Sequence, residues 1–153
     1  MRARDLMEDF PLVSKQTDAL EATRLLVDRG LPGLVVLDSA GLPLVLPGSQ
    51  VLRFALPEYV EDDPMLAGVF PEEEADRLCE SLSGRTVAQL MPGPAYLPHH
   101  DRDRPIVGPD ATAMQVASVM SRQHSPIVAV VQDHSVLGVI TVHRLLGALL
   151  PHR

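Results

Sequence analysis

Hydrophobic positions in this chain come round twice. Sliding Pro11–Pro57 onto Pro105–Pro151, a constant offset of 94 with no gap, places apolar residue on apolar residue almost throughout: Val13 on Val107, Ala19 on Ala113, Val36 on Val130, Val45 on Val139 and Leu52 on Leu146. A repeat of this period means that one supersecondary unit was used twice. Each copy opens on a short extended piece, Pro11–Ser14 or Pro105–Gly108. A helix-start signal follows, Asp18-Ala-Leu-Glu21 or Thr112-Ala-Met-Gln115, in which a capping oxygen precedes a carboxylate or amide by three residues. Beyond it, Ala19, Ala22, Leu25, Leu26 and Ala113, Val116, Ala117, Met120 recur at helical spacing. Gly30 stops the first helix and His124-Ser125-Pro126 the second.

Leu34–Leu37 and Ile127–Val131 are β-branched runs with no polar alternation, so both faces of each strand are expected to be covered. Asp38–Gly41 and Asp133–Ser135 are turn formers leading to Leu44–Leu46 and Val136–Ile140, which predicts hairpins. Gln50–Leu56 and Val142–Leu150 read as closing helices stopped by proline. The predicted unit is β-α-β-β-α. A second echo, Ala3–Met7 on Val87–Met91, runs at an offset of 84, so ten additional residues fall within Pro92–Arg104. That stretch reads as a polar loop. Between the copies, Asp63-Pro64 and Pro71–Glu74 look like helix starts, which makes the segment a folded connector. The expected division is 1–57 for the first repeat, 58–84 for a helical connector and 85–153 for the second repeat.

Composition narrows the partners. Among the 153 residues, 20 acidic and 13 basic side chains give a net charge of −7, which repels nucleic-acid phosphates and anionic membranes. The longest apolar runs fall far short of a membrane span, and no signal peptide is evident at Met1–Asp5. One cysteine, Cys79, allows no internal disulfide; a packed thiol in a cytoplasmic protein is the expectation. Aromatics make up only 3% of the chain, so the core must be aliphatic.

The paired β-α-β-β-α units, with Leu31-Pro32 or Ser125-Pro126 before the middle strand, resemble the CBS domain pair, or Bateman module. The best local match is Gly138-Val-Ile-Thr141-Val-His-Arg144, similar to the family pattern Gly-apolar-x-Thr/Ser-x-x-Asp. The resemblance implies an α+β fold of two repeats about a pseudo-twofold axis, with clefts that bind adenosine-containing ligands such as AMP, ATP or S-adenosylmethionine. It also implies a homodimer that regulates an enzyme or transporter. Carried over residue by residue, Thr141 becomes the phosphate-side candidate, and Val107, Gly108, Ser125 and Ile127 base-side candidates. The chain departs from the pattern where the ribose-binding Asp should stand: Arg144 occupies that place in the second copy and Gln50 in the first, while Leu44 and Pro47 replace Gly138 and Thr141. Pro47 lacks both an N–H and a hydroxyl, so the second cleft is the one expected to take an anion, with Arg144 as its clamp.

No nucleophile–base pair, Gly-rich phosphate loop or catalytic carboxylate pair emerges. His99-His100 with Asp101 and Asp103 is too sparse to read as a metal site. The expectation is a stand-alone, non-catalytic sensor of a small anion, with no cofactor and no metal. The competing reading is an interaction module with empty clefts that dimerises and docks.

Overall fold

The computed structural model describes residues 1–91 and 104–152. The first repeat contains β1 (Leu12–Ser14), α2 (Ala19–Asp28), β2 (Gly33–Leu37), β3 (Pro43–Pro47) and α3 (Gly48–Ala55), preceded by the short helix α1 (Ala3–Leu6). The second contains β4 (Ile106–Val107), α7 (Ala113–Gln123), β5 (Ile127–Gln132), β6 (Ser135–Thr141) and α8 (Val142–Leu149), preceded by α6 (Val87–Leu90). The connector folds into α4 (Glu58–Asp62), α5 (Glu72–Ala75) and two 3₁₀ turns, Pro64–Val69 and Leu78–Leu82. Cys79, in the second of these, is exposed rather than packed, because a 3₁₀ turn presents only Leu82 and Leu78 to the core. The His99–Asp103 cluster lies outside the described residues.

The two sheets are built alike. In each, the first strand runs parallel to the second and the third antiparallel, in the order β1-β2-β3 and β4-β5-β6. Their registers coincide at the same offset: Leu12 pairs with Val35 as Ile106 pairs with Ala129, and Val36 with Leu44 as Val130 with Gly138. They part only at the hairpin tip. The first repeat uses a loop in which Asp38 Oδ1 accepts from Ala40 N and Leu42 N, with Gly41 at φ +81. The second uses a two-residue turn with Asp133 and His134 both left-handed, and a bulge after Val130 absorbs the difference.

Helix ends repeat as well. Leu31 N donates to Leu26 O and Ser125 N to Met120 O, closing α2 and α7 by the same reverse bond. Gly30 sits left-handed at φ 60 in the first case, and His124 takes the same conformation at φ 49 in the second.

Both faces of the middle strands are covered. Leu34 and Val36 on β2 face the helices of the first repeat, and Val128 and Val130 on β5 face those of the second. The alternate residues Val35, Ile127 and Ala129 meet Val139 in a third cluster between the sheets, where Val45 also packs. Val35 and Ala129 are equivalent by the repeat, as are Val45 and Val139. Equivalent residues meeting across one interface is what a pseudo-twofold axis produces.

The lead-in helices are exchanged. Ala3 and Leu6 of α1 are buried in the core of the second repeat, whereas Val87 and Leu90 of α6 are buried in that of the first. The exchange is symmetric in its hydrogen bonds. Ala3 N donates to Ala111 O and Arg4 N to Pro109 O; in the other half Val87 N donates to Thr17 O and Ala88 N to Lys15 O. Each half therefore owes part of its core to chain that leads into the other.

Candidate functional site

The β6–α8 junction is built from its backbone outward. Thr141 pairs with Ile127 at the end of the hairpin, and Val142 N donates to Pro126 O, which fixes where α8 begins. Thr141 then caps α8, its Oγ1 accepting from Arg144 N at 3.2 Å. Ser125 is buried and its hydroxyl donates to Ile127 O at 2.6 Å, while Ile127 N donates back to the same oxygen at 3.3 Å. Ser125 therefore spends its hydroxyl shaping the turn into β5, and the fully buried Ile127 side chain lies between the sheets.

Arg144 is half-exposed one turn into α8. Its Nε donates to Leu6 O at 3.3 Å, at the C-terminal end of α1, and lies 3.9 Å from a Glu8 carboxylate oxygen. Among the described residues the two terminal guanidinium nitrogens have no partner, so an anion could approach them from solvent. Gly138 explains how the segment after α1 comes so near. Glu8 exchanges both backbone hydrogen bonds with Val139, at 2.8 and 3.0 Å, directly over this glycine. A Cβ on Gly138 would lie 2.9 Å from Glu8 O and 3.2 Å from Met7 Cβ, so only glycine admits the segment.

Val107 and Gly108 belong to another part of the same sheet. Val107 pairs with Val130, three residues along β5 from Ile127, which is about 10 Å at the rise of a strand. Together with Gln115, Val119 and Arg122 of α7 they border an open groove of about 320 Å³, whose lining contains neither Thr141 nor Arg144. The structure thus gathers Ser125, Ile127, Thr141 and Arg144 at one end and leaves Val107 and Gly108 at the other.

In the first repeat Pro47 stands at the N-cap of α3 without a side-chain bond. Gln50, the counterpart of Arg144, instead lines a cavity of about 850 Å³ between α3 and the connector, with Arg53, Phe54, Glu58, Asp62 and Arg85. Sequence reading did not find this cavity. Its walls come from α3, α4 and the stretch before α6, and no local motif marks residues that meet only because the connector folds back.

A further charged contact joins the halves. Arg104 donates to Asp38 Oδ2 at 2.8 Å, with both side chains largely buried. Burial opposes charge on Asp38, but hydrogen bonds from Leu42 N, Arg104 and Ala40 N, together with the Arg104 charge, outweigh it and hold the carboxyl below its ordinary pKa. Among the described residues no group of three or more metal-ligating side chains occurs. No helix among them is long and apolar enough to cross a membrane.

Comparison with known proteins gives one family. The CBS domain profile matches residues 100–151. The chain is 43% identical to a CBS domain-containing protein of unknown function from Kribbella flavida, with 99% of both chains covered and a TM-score of 0.79. The CBS domain of a membrane protein from Sphaerobacter thermophilus is 23% identical over 99% of this chain and 90% of its own, with a TM-score of 0.65. CBSX2, a CBS-pair protein of Arabidopsis thaliana, was solved in complex with AMP; it is 20% identical over 96% of this chain and 94% of its own, with a TM-score of 0.62. No curated protein matches.

Proposed function

Since this chain belongs to the CBS-domain family, we propose that it is a non-catalytic regulatory module of the cytoplasm that senses a small anion, an adenine nucleotide or S-adenosylmethionine, and passes the signal to a partner enzyme or transporter. The observation that carries this reading is the Arg144 guanidinium. It is anchored through Nε on Leu6 O, its terminal nitrogens are open among the described residues, and it stands one turn from the Thr141 hydroxyl. Arginine presents parallel donors that suit phosphate or carboxylate oxygens. The AMP bound by CBSX2 on the same fold supports a nucleotide. In this reading Thr141 and Arg144 take the anionic end, Ser125 and Ile127 fix the backbone beneath it, and Val107 and Gly108 border a separate groove open to an apolar group.

Calorimetric titration with AMP tests it. Arg144→Ala is expected to weaken binding by about 1.5–3 kcal/mol, the worth of a charged hydrogen bond, and Gln50→Ala far less. Equal losses, or an unaffected Arg144→Ala variant, would move the site elsewhere.

The module is also proposed to act as a homodimer. Leu146, Leu149 and Leu150 remain 54%, 49% and 64% exposed, and Leu52, the counterpart of Leu146, is 56% exposed. Aliphatic clusters of this kind on a surface usually mark an interface. The same observation favours the alternative reading, an interaction module whose clefts stay empty. Light scattering should give twice the 16.6 kDa chain mass. A monomer at micromolar concentration overturns the dimer.

A further inference from the structure

From the contact between the segment after α1 and α8, we infer that Glu8 is a built-in competitor for the anion at Arg144. The inference rests on the anion-site reading above and adds its regulation. Two features set Glu8 apart from an ordinary surface carboxylate. Its backbone is fixed, since both of its bonds to Val139 and the close approach over Gly138 hold the main chain in place whatever its side chain does. Its carboxylate nevertheless stands 3.9 Å from Arg144 Nε, and the side chain is half-exposed. At that separation the pair is a loose ion contact rather than a tight fork, so the carboxylate can swing into water without disturbing the fold.

An incoming phosphate or carboxylate needs the same guanidinium. It must meet the negative charge of Glu8 at close range or displace it. The two anions therefore share one cation, and the free site is held partly neutralised until a stronger anion arrives. Glu8 lies on the segment joining α1, packed in the second repeat, to β1, the first strand of the first repeat. A ligand that moves its side chain changes a contact on the crossing between halves.

The experiment is AMP titration of the wild type, Glu8→Gln, Arg144→Ala and the double variant at low ionic strength, with thermal melts run in parallel. Glutamine keeps the side-chain length and the backbone bonds, so its melting temperature should stay close to that of the wild type. Removing the competing charge should tighten AMP binding by roughly two- to fivefold, the scale of an exposed ion pair. In the Arg144→Ala background the same substitution should change affinity by less than half that factor, because the shared cation is gone. If Arg144→Ala weakens AMP but Glu8→Gln leaves it unchanged or weaker, the competitor role is overturned and the anion site stands. Loss of the Glu8→Gln melting temperature would likewise overturn the role, since the side chain would then be structural. If neither the wild type nor Glu8→Gln binds AMP, the anion-site reading falls and takes this inference with it.

Discussion

Leu6→Ala is expected to destabilise the protein by about 2–5 kcal/mol, the usual cost of truncating a buried leucine, and to loosen the second repeat before the first. Leu6 is 2% exposed and packs among residues of β4, β5, β6, α7 and α8, although it precedes β1 in the chain. Leu90→Ala should do the reverse, because that side chain is fully buried against α2, β2, β3 and α3. Amide hydrogen exchange separates the two variants. Leu6→Ala should speed exchange in β5 and β6, Leu90→Ala in β2 and β3. Loosening of the neighbouring strands in sequence, instead of the distant ones, would contradict the exchanged packing.

Arg104→Ala should cost about 1.5–3 kcal/mol, the worth of a charged hydrogen bond, because the partly buried Asp38 carboxylate would lose its countercharge. The pH dependence carries the sign. The Asp38 pKa is depressed in the folded protein, so the stability it contributes is fully present above the unfolded value of roughly 3.9 and is lost as pH falls through the lower folded value. Removing Arg104 takes away two of the causes that lower this pKa and leaves the burial that raises it. The acid unfolding transition of Arg104→Ala should accordingly begin at a higher pH than that of the wild type. Asp38→Asn should flatten the acid limb, since the amide keeps one oxygen for Ala40 N and Leu42 N without a charge to titrate. Denaturant melts from pH 3 to pH 7 read all three proteins. Parallel acid limbs would show that this pair does not govern acid stability.

Much of the fold was legible because its determinants are local. The capping pair Thr112 and Gln115 exchanges both of its predicted bonds, and Asp18 accepts from Glu21 N as its spacing implied. The unalternated runs at Leu34–Leu37 and Ile127–Val131 did become strands covered on both faces, since hydrophobic character on successive residues can be buried only between two layers. The connector was legible as folded but not in detail. Where Pro71–Glu74 reads as the start of a helix, the chain forms one turn of α-helix and then a 3₁₀ turn. Gly138 was read as part of a family motif; the structure adds that its missing side chain makes room for Met7 and Glu8.

The sequence by itself determined the repeat and the order of elements, because these follow from spacing, capping and hydrophobic period along neighbouring residues. It also marked Thr141 and Arg144 as the polar pair at a strand-to-helix junction. Only the tertiary structure decided that α1 and α6 trade places, that Arg104 reaches Asp38, and that Arg144 leans on Leu6 and faces Glu8. Those contacts join residues 66 to 138 positions apart. Their positions follow from how two twisted sheets pack about a shared axis, and no window of the sequence contains that packing.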